Sequence, residues 1–310
     1  MERRTDVVII GAGPAGLSAA VYAGRSLLST VVLESSVVGG QIIEAYDVDN
    51  YPGFPDGISG ADLIDGMVAH ARKFGAEIVN SGATDVVRAG NLKRVVTGDG
   101  DYLAPIVIIA SGATHRKLGA PGEERLGGRG VSYCATCDGP FFRDKRLVVI
   151  GGGDAAVTES IFLTRFAAEV KVVHRRQGFR ARPGHVVEAR ANDKIEFILD
   201  TVVTEVQGAE KVEAVTLRNV KTEEERRHEC EGVFVFIGHD PNTAYLEHIL
   251  PEHAGGLIPV DFNMETDVKG LYAIGDVRVG SFRQVGTGNA EGITAAMHAD
   301  KRIKDLVAED

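Results

Sequence analysis

The chain has 310 residues, of which 34 are basic and 44 acidic, so its formal net charge is −10. Broad binding to nucleic acids or to anionic membranes needs a basic footprint, and this charge balance argues against both functions. The length suits two domains of roughly 100–200 residues each, and 38 glycines indicate many tight turns or close backbone approaches to a ligand.

The first predicted element is a buried parallel strand over residues 6–10, apolar and rich in β-branched side chains. It leads into the motif Gly-Ala-Gly-Pro-Ala-Gly at 11–16, a helix through Ala23 and a second strand over 30–34. This complete order of strand, motif, helix and strand predicts nucleotide binding. The alternative is a glycine-rich turn in an α/β unit without a ligand.

Each part of the motif has a physical task. The first glycine makes the tight turn, the second lets the backbone approach a pyrophosphate, and the third lets the helix pack against the strand. The helix start presents free N–H groups to the phosphates, and the acid that ends the second strand can accept hydrogen bonds from ribose hydroxyls. The predicted cofactor-binding residues of this unit are Gly11, Gly13, Pro14, Ala15, Gly16 and Glu34.

Two cysteines separated by two residues, Cys134 and Cys137, form the next chemical signature. This spacing can close a small disulfide ring and lower the pKa of each thiol, which favours reversible thiol–disulfide exchange. A zinc site, a structural disulfide and two inert thiols are the alternatives; the third cysteine, Cys230, is isolated in a charged stretch. Asp138 either moves the proton for this chemistry or is a turn residue beside Gly139.

A second nucleotide-binding pattern follows. It comprises a strand over 146–150, the motif Gly-Gly-Gly-Asp-Ala-Ala at 151–156, a helix to about Phe166 and a strand over 169–173. The predicted cofactor-binding residues here are Gly151, Gly153, Asp154, Ala155, His174, Arg175, Arg176 and Arg180.

The two patterns differ at one equivalent position. Glu34 lies 23 residues after the first glycine of its motif, whereas His174 occupies that place in the second pattern. Residues 170–187 contain no carboxylate but include four arginines. Since a carboxylate would repel a ribose 2′-phosphate and arginines would bind one, the first unit suits FAD and the second NADPH. The alternative is a solvated basic face.

A further strand over 270–277 contains Gly275 and Asp276, which resemble the second FAD-binding signature of flavoproteins with two dinucleotide sites. If so, the first domain is discontinuous, and turn signals mark both crossings of the chain. We expect an α/β protein with two Rossmann-like domains, the second inserted in the first. The FAD-binding domain would comprise residues 1–114 and 242–310, and the NADPH-binding domain with the redox cysteines residues 115–241. The alternative for Asp276 is a solvated strand-end turn.

Taken together, these motifs resemble the low-molecular-weight thioredoxin reductases along almost the whole chain. The matching segments are GAGPAG (11–16), GGQI (39–42), NYPGF (50–54), CATCDG (134–139), GGGDAA (151–156), HRRQGFR (174–180), IGHDPN (237–242), GD (275–276) and RQV (283–285).

The resemblance implies a homodimer in which the N- and C-terminal portions bind FAD. It also implies flavin contacts for residues that would otherwise be ordinary loop positions, namely Gly40, Gln41, Asn50, Arg283, Gln284 and Val285. One segment departs from the family pattern, because Gly288 and Asn289 in the run Thr287–Gly292 replace better helix formers. The replacement leaves open how firmly the start of this helix holds the flavin. A weaker hold would shift the flavin potential or loosen the binding of FAD.

The implied activity is electron transfer from NADPH through FAD and the Cys134–Cys137 pair to thioredoxin. Two alternatives are a flavoprotein that reduces another dithiol carrier, such as a glutaredoxin-like or peroxiredoxin-linked protein, and a redox sensor that binds FAD but turns over slowly. We expect a cytoplasmic protein, since the first strand leaves no room for a signal peptide and no apolar run suits a membrane span. No metal site is predicted.

Overall fold

The computed structural model describes residues 2–45 and 48–309. The chain divides into two compact units, one formed by the residues up to Thr114 together with those from Asp240, the other by His115–His239. The chain therefore leaves the first unit once and returns to it. Within the described ranges, no helix combines the length and the apolar character that crossing a membrane would need.

The structure contains nineteen strands and six α-helices in the described residues. The strands are β1 Glu2–Arg4, β2 Val7–Ile10, β3 Thr30–Glu34, β4 Glu77–Asn80, β5 Ala83–Ala89, β6 Leu92–Thr97, β7 Asp101–Ala104, β8 Ile106–Ile109, β9 Ala113–His115, β10 Val131–Ser132, β11 Arg146–Ile150, β12 Glu169–Val173, β13 Ile195–Ile198, β14 Thr201–Gln207, β15 Ala214–Asn219, β16 Glu225–Glu229, β17 Gly232–Val235, β18 His239–Pro241 and β19 Leu271–Ala273. The helices are α1 Pro14–Arg25, α2 Gly60–Lys73, α3 Ala135–Asp138, α4 Asp154–Leu163, α5 Pro183–Arg190 and α6 Val285–Glu309.

Each unit is built on a five-stranded parallel sheet. The order is β4-β3-β2-β8-β19 in the first unit and β13-β12-β11-β17-β10 in the second. In both sheets the strand that precedes a glycine motif is central, so the motif lies at the carboxyl edge where open α/β sheets bind ligands. A smaller sheet accompanies each one, β1-β7-β6-β5 in the first unit and β14-β15-β16 in the second.

Both faces of each parallel sheet are covered, which explains the uninterrupted apolar runs in the sequence. In β2, Val7 and Ile9 contribute to one core cluster, whereas Val8 and Ile10 contribute to the cluster on the opposite face. The central strand of the second unit, β11, divides its side chains between two clusters in the same way. Buried parallel strands of this kind position the glycine motifs rigidly.

Helices α1 and α6 pack together through small residues. Ala15, Ala19 and Ala23 of α1 are buried, and a Cβ atom at Gly292 in α6 would lie 2.3 Å from the carbonyl oxygen of Ala15. Both partners at this point are helix backbones, which cannot move aside as a flexible side chain could. Glycine is a poor helix former, so its presence here reflects the close approach of the two helices.

We expect Gly292→Ala to lower the free energy of unfolding by about 1–3 kcal/mol, because the added methyl group overpacks the helix contact. Gly66→Ala is the matched control, since Gly66 is exposed in α2 and no described atom beyond its chain neighbours and its own helix backbone lies within 4 Å of its Cβ position. That variant should gain about 0.5–1 kcal/mol from helix propensity. Urea denaturation followed by circular dichroism measures both changes, and equal effects of the two substitutions would contradict the packing argument.

Candidate active site

The first glycine motif forms a tight turn between β2 and α1. Gly11 has a φ of +109°, a conformation that favours glycine, and a Cβ atom at Gly16 would lie 2.0 Å from the carbonyl oxygen of Gly11. Helix α1 begins at Pro14, and no described side chain caps its start at Gly13. The N–H groups of the first helical turn are therefore available to an anion such as a pyrophosphate.

Glu34, at the end of β3, holds this turn in place. Its Oε2 accepts a hydrogen bond of 2.9 Å from the N–H of Ala12, and its Oε1 accepts one of 3.0 Å from the N–H of Ser36. Each carboxylate oxygen can accept two hydrogen bonds. Capacity for ribose hydroxyls therefore remains beside the motif.

The residues expected near the flavin come from separate segments of the first unit. Gln41 donates a hydrogen bond to a backbone carbonyl of this unit. Asn50 Nδ2 donates to Gln284 Oε1 at 3.3 Å, which joins the NYPGF segment to the residues that precede α6. Arg283 lies directly before Gln284, and Val285 is the first residue of α6. The structure thus brings together positions that lie more than 230 residues apart in the sequence.

The Gly275–Asp276 motif is held by Glu291, which pairs with Arg278; the sequence analysis assigned neither side chain a role. Glu291 is 6% exposed; its Oε2 accepts a 2.6 Å hydrogen bond from the N–H of Gly275, and its Oε1 accepts one of 2.5 Å from Arg278. The pKa of the Asp276 carboxyl group is raised, chiefly by burial. The nearby Arg283 opposes this rise, and Glu291 adds to it. A hydroxyl donor on a bound molecule would stabilise the charged form of this carboxyl group.

These features fit an FAD molecule. The uncapped start of α1 suits the pyrophosphate, the spare acceptor capacity of Glu34 suits a ribose, and the buried carboxyl of Asp276 suits a hydroxyl of the ribityl chain or the second ribose. The polar groups needed at both ends of the molecule are therefore present in one unit.

The second unit contains a disulfide between Cys134 and Cys137, with 5.3 Å between their Cα atoms. Cys134 precedes the short helix α3, and its Sγ accepts a 3.2 Å hydrogen bond from the N–H of Cys137. Both cysteines are partly exposed, as exchange with a second protein requires. Asp138 ends α3, and its N–H donates to the carbonyl oxygen of Cys134 at 3.1 Å.

The backbone before the disulfide is anchored by a buried carboxylate that the sequence analysis missed. Glu123, 2% exposed, accepts a 2.7 Å hydrogen bond from the hydroxyl of Tyr133. It also accepts hydrogen bonds from the N–H groups of Leu118 and Gly119, at 2.7 and 2.8 Å. Because Tyr133 is covalently joined to Cys134, these contacts position the N-terminal side of the redox pair.

Cys230 lies apart from this chemistry. It is fully buried in a core cluster, and burial raises the pKa of its thiol to about 12. A thiol with so high a pKa is protonated at neutral pH and is a poor nucleophile. Among the residues the structure describes, no group of three or more His, Cys, Asp or Glu side chains could hold a metal ion.

His174, the residue after β12, packs against the second glycine motif. It is 9% exposed, and its ring stacks on Phe179. The ring lies so close to Gly152 that a Cβ atom added there would be 2.2 Å from the Cε1 atom of His174. The pKa of His174 is lowered, chiefly by burial. The hydrogen bond to the carbonyl of Gly178 opposes this change, and the neighbouring arginines add to it. The ring is therefore neutral at pH 7, so His174 adds shape to the predicted site but no positive charge.

Exposed arginines follow His174 at the edge of the sheet. The three expected to bind the 2′-phosphate are Arg175, Arg176 and Arg180, and all are exposed. In the described part of the chain, no carboxylate forms an ion pair with any of them, whereas Arg182 lies beside Asp154. The N–H of Arg180 donates to the carbonyl oxygen of Gly152 at 2.8 Å, which places this loop against the motif. An arginine cluster without internal counterions fits a phosphate ligand.

Asp154, the first residue of α4, ties the motif to the next helix. Its Oδ1 accepts a 2.8 Å hydrogen bond from the N–H of Arg182 and lies 3.2 Å from Nδ1 of His185. Gly153 and Ala155 flank it at the helix start. The structure thus collects the residues predicted to bind FAD in the first unit, and the residues predicted to bind NADPH, with the cysteine pair, in the second.

Comparisons with known proteins match almost the whole chain. The family described as "Pyridine nucleotide-disulphide oxidoreductase" matches residues 5–299. The thioredoxin reductase of Peptoclostridium litorale is 44% identical over the full length of both chains, and that of Bacillus subtilis is 45% identical over 98% of this chain and 96% of its own. The crystal structure of thioredoxin reductase from Streptococcus pyogenes, 44% identical, covers 97% of this chain and 99% of its own with a TM-score of 0.92.

The lowered pKa of His174 predicts a pH dependence of stability. Because the unfolded chain binds a proton at this position at higher pH than the folded protein does, the stability from the neutral ring is present above about pH 6.5 and is lost as the pH falls below it. His174→Gln retains a donor for Gly178 but cannot titrate, so its free energy of unfolding should fall less between pH 7 and pH 5. Urea denaturation at several pH values measures this slope, which for one proton is at most about 1.4 kcal/mol per pH unit.

His70→Gln is the control, since His70 is an exposed histidine of α2. If both variants keep the pH slope of the unmodified protein, His174 does not account for it.

Proposed function

Because the chain belongs to the thioredoxin reductases within the pyridine nucleotide-disulphide oxidoreductase family, we propose that it transfers electrons from NADPH to the disulfide of thioredoxin. The family, the fold class, the enzyme class and the cofactor pair FAD and NADPH predicted from the sequence are confirmed. The comparisons do not favour the alternative of a different dithiol carrier.

One observation carries the proposal. The partly exposed disulfide Cys134–Cys137 lies in the same unit as a glycine motif whose strand end carries arginines without carboxylate partners in the described residues. A dithiol relay and a site for a 2′-phosphorylated nucleotide therefore belong to one folded unit, while the other unit has the groups that fit FAD.

We assign the cofactor contacts as follows. The residues proposed to bind FAD are Gly11, Gly13, Pro14, Ala15, Gly16, Glu34, Gly40, Gln41, Asn50, Gly275, Asp276, Arg283, Gln284 and Val285. Those proposed to bind NADPH are Gly151, Gly153, Asp154, Ala155, His174, Arg175, Arg176 and Arg180. When bound, FAD supplies the two-electron chemistry that links nicotinamide to disulfide.

The cysteine pair performs the exchange with the partner. Reduction breaks the bond between Cys134 and Cys137 and leaves two thiols. One thiolate attacks the disulfide of thioredoxin to form a mixed disulfide; the other then re-forms the Cys134–Cys137 bond and releases thioredoxin as a dithiol. Each cycle oxidises one NADPH and reduces one disulfide. Asp138, next to Cys137, is proposed to donate or accept the proton that this exchange requires.

The family also supports the assembly and the domain assignment that we propose. These are a homodimer in the cytoplasm, an FAD-binding domain of residues 1–114 and 242–310, and an NADPH-binding domain of residues 115–241. The family match extends across both segments of the proposed FAD-binding domain.

Replacement of Arg175 and Arg176 together by alanine should erode the preference for NADPH over NADH. Each charge-assisted contact to the 2′-phosphate is worth about 1.5–3 kcal/mol, so losing one such contact should lower kcat/KM for NADPH about ten- to a hundredfold, mainly through KM. Kinetics with NADPH and NADH measure the ratio. The control replaces the adjacent exposed pair Arg226 and Arg227 of β16, and equal ratios in the two double variants would overturn the assignment.

Cys134→Ser and Cys137→Ser should each abolish NADPH oxidation coupled to thioredoxin, because a lone thiol cannot re-form the disulfide. Flavin bleaching by NADPH without oxygen should persist in both, since the nucleotide sites are intact. Cys230→Ala is the control, since it removes the buried thiol and should retain turnover. Absence of thioredoxin reduction by the unmodified enzyme would refute the proposed function, and turnover by either serine variant would refute the relay.

A further inference from the structure

Backbone hydrogen bonds fix both ends of the arginine loop, which comprises residues 174–180. At its start, the N–H of His174 donates to the carbonyl oxygen of Ile198 at 2.9 Å, and at its end the N–H of Arg180 donates to the glycine motif. Residues 175–177 between these ends are exposed, and no hydrogen bond between described residues involves their backbone. The segment that carries two of the proposed phosphate-binding arginines therefore needs an anchor of its own.

Gln177 connects this segment to a buried carboxylate. Its Nε2 donates a hydrogen bond to Oδ2 of Asp200, and among the described residues this is the one side-chain hydrogen bond that residues 175–177 form. Asp200 is 8% exposed and lies in the short connection between β13 and β14. The bond therefore ties the exposed middle of the arginine loop to the body of the second unit.

Asp200 is itself held by the turn between β15 and β16. Its carbonyl oxygen accepts a 2.7 Å hydrogen bond from the N–H of Val220, and its Oδ2 accepts one of 2.6 Å from Nζ of Lys221. The contacts with Lys221 and Gln177 lower the pKa of the Asp200 carboxyl group, which is therefore ionised at neutral pH. The acceptor that anchors the loop is thus fixed through both its backbone and its side chain.

The ion pair with Lys221 also makes Asp200 compatible with a phosphate ligand. A carboxylate beside the loop could occupy the arginines or repel a 2′-phosphate. Asp200 pairs with Lys221 instead, and within the described ranges no ion pair joins it to an arginine of the loop. Its charge is balanced, and the guanidinium groups stay available.

We propose that Asp200 is a positioning residue for the nicotinamide nucleotide, and the inference rests on the proposed binding of NADPH to this unit. Asp200 acts through Gln177 rather than by touching the ligand. By holding Gln177, it keeps Arg175 and Arg176 in the arrangement that binds the 2′-phosphate, so that less conformational freedom is lost on binding. Asp200 thereby favours nucleotides that carry a 2′-phosphate over those that lack one.

Calorimetric titration of the holoenzyme with adenosine 2′,5′-bisphosphate tests this role without turnover, and 5′-AMP is the matched ligand without a 2′-phosphate. Asp200 has a φ of +51°, so Asp200→Gly removes the acceptor while the new residue adopts this conformation readily. The variant should raise the dissociation constant of the bisphosphate about three- to tenfold, the range for one hydrogen bond. The dissociation constant of 5′-AMP should not change.

Asp200→Asn should bind both ligands as the unmodified protein does. One side-chain oxygen, Oδ2, accepts the hydrogen bonds from both Gln177 and Lys221, and an amide retains one oxygen. Gln177→Ala should repeat the effect of Asp200→Gly. The two changes together should weaken binding no further than either alone, because both remove the same contact.

Glu223→Gly is the matched control for the glycine substitution. Glu223 also has a positive φ, +57°, and it forms an ion pair in the same unit, with Arg218 at 3.1 Å. Its replacement should leave both dissociation constants unchanged.

Equal weakening of both ligands in Asp200→Gly would indicate a general loss of structure and overturn the inference. So would an unchanged bisphosphate affinity in Asp200→Gly or Gln177→Ala, additive effects of these two changes, or an equal loss in Asp200→Asn or Glu223→Gly. All these outcomes leave the proposed function intact. An unmodified protein that binds the bisphosphate no more tightly than 5′-AMP would instead refute the proposed NADPH site.

Discussion

The close packing of α1 against α6 is the contact on which the first unit depends. These helices come from opposite ends of the chain, and they approach so closely that glycine is required at position 292. Ala15 belongs both to the glycine motif and to this contact. The N-terminal motif, the Gly275–Asp276 motif and the start of α6 can therefore form one site only when the C-terminal segment has returned to α1.

The charges that we propose to select the ligand differ between the two units. In the first unit Glu34, the last residue of β3, accepts a hydrogen bond from the motif turn. In the second unit a neutral histidine occupies the same place and supports the turn by its shape, while exposed arginines supply the charge. Had His174 been charged, it would add desolvation cost to the site, whereas solvated arginines can bind a phosphate at little such cost.

Three buried polar side chains illustrate why part of the site escapes sequence analysis. Glu291 accepts a hydrogen bond from Gly275 across 16 residues, Glu123 accepts one from Tyr133 across 10, and Asn289 donates to Tyr51 across 238. None of them has a local motif, because what gives each its role is a partner brought close by folding. The sequence did indicate that the run 287–292 was unusual, but the hydrogen bond between Asn289 and Tyr51 exists only in the folded chain.

The sequence by itself determined the two strand–glycine–helix patterns, the cysteine pair and the contrast between Glu34 and the arginines, because each depends on neighbours within about thirty residues and on local backbone geometry. It also indicated a discontinuous first domain, since motifs of one kind stand near both ends of the chain. The tertiary structure alone decided that His174 is buried and neutral, that Glu291, paired with Arg278, holds the Gly275–Asp276 motif, and that Asn289 donates a hydrogen bond to Tyr51. The physical reason is that burial and hydrogen-bond pairing depend on which distant segments of the chain pack together. A pattern in a single sequence does not specify the distance between those segments in the folded protein.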